Sequence, residues 1–189
     1  MKNNFDFTGC TAVMALLGPN SVTVANAGDS RCILCRGGEA VELSHDHKPE
    51  SPRERNRIEK AGGKVTAIGP CFRVDWGLNL SRSLGDFAYK RNADLSASEQ
   101  KITAIPDLVS EQLQAEDEFL VLGCDGIFEL LTSQQVVDFV RSGIQRGLKL
   151  NKIAEALLDE CCSKDPSLTA GKGTDNETCI IIKLNITGQ

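Results

Sequence analysis

Aspartates at the ends of apolar runs are the residues of this sequence best placed to do chemistry. Asp125 stands in Cys124-Asp125-Gly126-Ile127, directly after Phe119-Leu120-Val121-Leu122-Gly123, which reads as a buried strand. Asp175 stands in Gly173-Thr174-Asp175-Asn176-Glu177, just before the second such run, Cys179-Ile180-Ile181-Ile182. A carboxylate at a buried strand end is costly unless its charge is compensated. Several converging carboxylates are most readily compensated by a hard divalent cation, which takes oxygen ligands. Each segment taken alone also reads as a plain turn, because Asp tolerates turn geometry and Gly supplies positive φ.

Two more segments share the pattern. Asp29 lies in Ala25-Asn26-Ala27-Gly28-Asp29-Ser30-Arg31, at the end of the apolar strand from Val22 to Ala27, and Arg82 lies in Leu80-Ser81-Arg82-Ser83-Leu84-Gly85-Asp86. Between them comes Asp46-His47-Lys48-Pro49, followed by a charged helix and Gly62-Gly63. The elements that must position these residues are strand-rich at both ends of the chain, with helices between. Thr11 to Leu17, Val22 to Ala27, Cys32 to Cys35 and Ala40 to Leu43 read as strands with short connections, which favour antiparallel pairing. Pro52 to Ala61 reads as a polar helix stopped by Gly62-Gly63. Thr132-Ser133-Gln134-Gln135 has the form of a capping box, and Val136, Val137, Val140 and Ile144 give the apolar stripe behind it. Leu150, Ile153, Leu157 and Cys161 mark a second amphipathic helix. Sheets covered by amphipathic helices, an α+β chain, are what this pattern requires.

The 189 residues, 41% hydrophobic and 25% charged, suffice for one domain with a real core. A net charge of −5 without a basic cluster argues against a nucleic-acid or anionic-membrane partner, and no apolar run reaches spanning length. Met1-Lys2-Asn3-Asn4 lacks the apolar stretch of a signal peptide, so an intracellular chain, cytoplasmic or nuclear, is expected. The eight cysteines are scattered, without disulfide-scaffold spacing. Cys32 and Cys35 are three apart on a strand and point to opposite faces, so they make a poor ion site. Reduced, mostly buried thiols are expected.

In this order, the segments from Gly9-Cys10-Thr11-Ala12-Val13 to the last strand near Leu184 closely resemble the metal-dependent (type 2C, PPM) protein serine/threonine phosphatases. The stretches Val24 to Cys32 and Gly77 to Asp86 are most similar to the gamma-type members. The resemblance implies a four-layer α-β-β-α sandwich with two stacked antiparallel sheets, and a flap region spanning 47–82. The family domain opens with an arginine strand and a Glu-Asp pair, followed by an Asp-Gly-His-Gly segment, and these 189 residues contain none of them. The expectation is therefore the C-terminal two-thirds or so of the family domain, without its N-terminal strands. Strand edge or apolar face should then be exposed, with self-association as a consequence.

The family chemistry is hydrolysis of phosphoserine or phosphothreonine in proteins by a water bound to two Mn²⁺ or Mg²⁺ ions. No cysteine here is followed six positions on by arginine, so the cysteine-phosphatase cradle is absent. Carried over by resemblance, Asp125 and Asp175 are ligands of the two-metal site, and Asp29 shares a weaker third position with Asp125. Glu129, often Asp in the family, would hold a metal-bound water, and Phe128 stands where tryptophan is usual. Arg82 is the candidate for steering the phosphate, with an ion pair to Asp86 as its alternative. His47 reads as an anchor of the turn or flap. Without the N-terminal ligands, turnover by this chain alone should be impaired. The competing reading is a catalytically dead, phosphatase-like binding module.

Overall fold

Strand β10 (Asp117–Gly123) is buried along almost its whole length, and the reason lies in its partners on both sides and both faces. The computed structural model describes residues 7–163 and 172–185. Within them the chain divides into two compact units, one of residues 7–13, Ala25–Ser30 and His45–Leu108, the other of Met14–Val24, Arg31–Ser44, 109–163 and 172–185.

In the second unit, β10 pairs antiparallel with β4 (Arg31–Arg36) on one side and β11 (Cys179–Lys183) on the other. Beyond β4 lies β5 (Glu39–Glu42), joined to it by the Gly37-Gly38 turn, so the sheet order is β11-β10-β4-β5. Ile33 and Cys35 of β4, with Phe119 and Val121 of β10, pack against Val136, Val137 and Val140 of α3 (Ser133–Gln145) and Ile153, Leu157 and Cys161 of α4 (Leu150–Cys161). Strand alternation sends Cys32, Leu34 and Leu120 to the opposite face, where they are equally buried. A sheet covered on both faces explains why these strands read as continuous apolar runs rather than as alternating ones. Burial pushes the Cys32 thiol up to about 12 and the Cys179 thiol, with help from nearby thiols, also to about 12. All eight cysteines are free, but only Cys32, Cys35 and Cys161 are buried, so the expectation of mostly buried thiols does not hold.

The first unit is held together differently. Its apolar cluster is small: Ile58, Val74 and Ile102, with Val65, Leu78 and Tyr89 around them. Helix α1 (Pro52–Lys60) ends one residue before the sequence reading, with Ala61 as its C-cap, and a hairpin of β6 (Val65–Ile68) and β7 (Cys71–Val74) follows. A short pair, β1 (Gly9–Cys10) with β8 (Leu84–Gly85), and a 3-10 turn at Phe87–Tyr89 complete it. Strands β2 (Ala12–Leu17), β3 (Ser21–Ala27) and β9 (Asp107–Gln112) form a further sheet in the order β2-β3-β9. The sequence reading did not include the β6–β7 hairpin or β9: β6 and β7 are only four residues each, and β9 is a largely polar strand with two apolar residues. The α+β class, with antiparallel pairing and helices over the sheet, is as expected. Among the described residues no helix is long and apolar enough to cross a membrane.

Candidate metal centre

Asp125 and Asp175 arrive at the same end of the second unit because of strand register. Gly123, the last residue of β10, stands opposite Cys179, the first of β11. The chain leaving β10 and the chain entering β11 therefore meet one residue further on. Cys124 N–H donates to the Thr178 carbonyl at 3.3 Å, the Cys124 thiol donates to the Asn176 carbonyl at 3.4 Å, and Thr178 N–H donates to Cys124 Sγ at 3.2 Å. Asp125 then starts the short helix α2 (Asp125–Phe128). Gly126 is buried at the contact: a Cβ there would lie 3.0 Å from Glu177 Cγ, 3.3 Å from the Asn176 carbonyl oxygen and 3.7 Å from Asp175 Cβ. Its glycine identity is thus a matter of close approach between the two acidic segments, beyond any turn geometry.

The turn itself uses part of Asp175, whose Oδ1 accepts from Asn176 N–H at 2.7 Å. Glu177 is the residue that sequence reasoning missed. Its Oε1 is buried without a hydrogen-bond partner, and burial, followed by the negative charge of Asp175, holds its carboxyl above the usual range. An orphaned carboxylate oxygen beside two aspartate segments is a donor set suited to a hard, oxygen-seeking cation. Even so, among the described residues no group of three or more His, Cys, Asp or Glu side chains is gathered closely enough to hold an ion. Glu129 is exposed at the end of α2, where its N–H donates to the Asp125 carbonyl at 2.8 Å. Phe128 lies under the Arg31 guanidinium, 4.6 Å from ring centroid to carbon, and Arg31 Nη1 also donates to Ser133 Oγ at 3.0 Å. That stack fixes α2 against β4.

Asp29 belongs to the first unit and is 2% exposed. Gly28, at φ 127°, makes the turn before it, and a Cβ there would meet Thr11 Cγ2 at 2.4 Å. Gly28 N–H donates to His47 Nδ1 at 3.1 Å, and His47 N–H returns to the Gly28 carbonyl at 3.0 Å. Nδ1 also lies 3.0 Å from the Gly28 carbonyl oxygen, and Nε2 faces Asp107 Oδ2 at 3.2 Å. His47 is therefore an anchor of this turn, in line with its sequence reading.

Arg82 requires a correction. The pairing with Asp86 does not form: Asp86 Oδ2 instead accepts from Ser83 Oγ at 2.5 Å. Arg82 is 2% exposed, with Nη2 on Glu54 Oε1 at 2.7 Å and Nη1 on Asp107 Oδ1 at 2.8 Å. Glu54 also receives Ser81 Oγ at 2.6 Å and Arg57 Nη1 at 2.5 Å. A guanidinium so enclosed is a core ion pair, and it presents no free face to a phosphate. The helix that brings Glu54 to it was legible in the sequence, but the pairing across 28 residues was not.

The family model described as Protein phosphatase 2C matches residues 2–167. The chain is 50% identical over 176 residues to the probable protein phosphatase CG10417 of Drosophila melanogaster, covering 93% of this chain and 26% of that protein. It is 49% identical over 181 residues to human protein phosphatase 1G, covering 93% and 32%. Among solved structures, a phosphatase from Toxoplasma gondii aligns with a TM-score of 0.74 at 34% identity, over 86% of this chain and 47% of that one. A sex-determining protein of Caenorhabditis elegans shares the fold, at a TM-score of 0.77 and 24% identity, over 94% and 40%. The chain thus spans only 26% and 32% of the length of these two curated relatives.

Proposed function

Because the chain belongs to the protein phosphatase 2C family, we propose that it serves the hydrolysis of phosphoserine and phosphothreonine in proteins, with Asp125 and Asp175 as ligands of a divalent cation. The observation that supports this most is the meeting of the two acidic segments at the paired ends of β10 and β11, with Glu177 Oε1 left unpartnered beside them. Mn²⁺ or Mg²⁺ is the expected ion, two of them in the complete family domain. When bound, such ions activate a water for attack on phosphorus and screen the phosphate charge. The chain's own contribution is positional. Cys124 and Thr178 lock the two segments together, Gly126 permits their approach, and Asp125 and Asp175 present oxygen donors. Glu129, exposed at the end of α2, would hold a metal-bound water in this reading. Free thiols throughout accord with an intracellular setting, cytoplasmic or nuclear.

Turnover by these 189 residues alone is expected to be poor, since two aspartates hold too few positions to keep two ions in register. Equilibrium dialysis against Mn²⁺ tests the metal reading directly. Asp125→Asn and Asp175→Asn should each weaken binding by more than about tenfold, the scale commanded even by an outer partner of a metal ligand. Unchanged binding in both variants would sink the assignment. That no group of three such side chains is gathered among the described residues favours a second reading, a phosphatase-like binding module. That module would bind phosphoproteins yet leave p-nitrophenyl phosphate intact at any Mn²⁺ concentration, whereas manganese-dependent turnover lost in Asp125→Asn would exclude it.

A further inference from the structure

We propose that Lys48 is the resident counter-cation of Asp29, seated where the family resemblance expects a metal ion. Asp29 is 2% exposed, and Lys48 Nζ lies 2.5 Å from its Oδ2. The proposal depends on the phosphatase reading only for the expectation that Asp29 takes an ion.

The arrangement is built from the backbone outward. The segment around Asp29 and the segment around Lys48 are clasped at several points. Asn26 Nδ2 donates to both the Gly28 and the His45 carbonyls at 3.1 Å. His47 exchanges main-chain and ring hydrogen bonds with Gly28, and its own carbonyl accepts from Ser81 N–H and Ser81 Oγ, both at 2.9 Å. With the backbone of Asp46 to Lys48 held this way, pairing orders only the torsions of the lysine side chain, which lowers the entropy cost of holding it on the carboxylate. Lys48 remains 29% exposed, its stem reaching in from the surface to a carboxylate that water does not reach.

A hard cation would have to sit about 2.1 Å from the same carboxylate oxygens. An ammonium already donating to Oδ2 stands inside that ion's neighbourhood, and two positive charges a few ångströms apart repel strongly at a buried site. Metal and lysine therefore exclude one another on Asp29. Asp29 takes no ion while Lys48 is seated.

The test uses the whole 189-residue chain with the variants Asp29→Asn, Lys48→Met and the double variant, measured by thermal melts in EDTA and in Mn²⁺ and by equilibrium dialysis. Lys48→Met, which keeps most of the stem and removes the charge, should melt roughly 5–10 °C below the parent in EDTA, as expected when a buried charge loses its partner. Mn²⁺ should recover most of that loss. The double variant should recover it without metal and gain no more from Mn²⁺ than the parent does. Asp29→Asn alone should leave the parent's Mn²⁺ stoichiometry unchanged. The proposal is overturned if Asp29→Asn removes an Mn²⁺ site from the parent, or if Lys48→Met melts like the parent in EDTA. A Lys48→Met deficit that Mn²⁺ leaves untouched also overturns it, because Asp29 is then no cation position. Should Lys48→Met fail to fold, folding of the double variant supports the pairing and its failure counts against it. A parent that binds no Mn²⁺ at all would count against Asp125 and Asp175 as ligands, while the melts in EDTA would still decide the role of Lys48.

Discussion

At the scale of single residues, the first unit depends on buried charge more than on apolar packing, and this makes it acid-sensitive in a defined order. Burial lowers the pKa of His47, reinforced by the positive charge of Arg82, so the ring is neutral in the fold. The unfolded chain takes up that proton first, so stability falls as pH drops below about 6.5. Glu54 follows. Burial works to raise its carboxyl, but hydrogen bonds from Arg82 and Ser81 and the charge of Arg57 outweigh it and hold it at about 2, against an ordinary value of 4.5. A carboxylate held down in the fold stabilises it above the unfolded value, and that contribution is lost as pH falls from about 4.5 toward 2. Asp107, also held at about 2, adds less because its side chain is 40% exposed. Thermal melts from pH 8 to pH 3 should therefore decline in two stages, with Glu54→Gln shrinking the lower one to the smaller share that Asp107 supplies. That variant should cost about 3 kcal/mol at neutral pH, because Arg82 stays buried with one partner fewer. A single flat profile to pH 4 would contradict this account.

At the scale of elements, the helices of the second unit follow local rules closely. Thr132 caps α3: its side chain accepts from Gln135 N–H, and Gln135 Oε1 accepts from Thr132 N–H at 2.8 Å. The box orients the helix that lays Val136, Val137 and Val140 on β4 and β10, so a small polar pair fixes a large apolar contact. Thr132→Ala is expected to cost about 1 kcal/mol, read as a fall in melting temperature of roughly 2–4 °C for a chain of this size. The same substitution should leave Mn²⁺ affinity unchanged, since α3 holds neither acidic segment.

At the scale of the whole molecule, some of the exposed apolar side chains lie on strands at sheet margins. Strand β2 is at one end of its sheet and exposes Met14, Leu16 and Leu17; β11 is at one end of the other and exposes Ile180. Edges with apolar side chains and unpaired backbone are templates for further strand pairing. The isolated chain is therefore expected to self-associate at micromolar concentration, measured by sedimentation velocity. Leu16→Lys should shift it toward monomer, because a charged edge resists pairing. A parent chain that sediments as a monomer up to about 100 µM, well inside the micromolar-to-millimolar range where exposed edges associate, would show that these edges are silent.

The sequence by itself determined the elements whose signals are local. Apolar runs marked β4, β10 and β11, a capping box started α3, and the glycine pair ended α1, because each depends on neighbours a few residues away. The same local reading, with the order of the acidic segments, was enough to point to the family and to Asp125 and Asp175. What the tertiary structure alone decided is which charge meets which. Arg82 went to Glu54 and Asp107 rather than to Asp86 four residues on, and Lys48 reached Asp29 across 19 residues. Glu177, silent in the sequence, was left with an unpartnered oxygen. Spacing along the chain cannot assign such partners, because a buried charge is matched by whatever the folded backbone brings within about 3 Å of it.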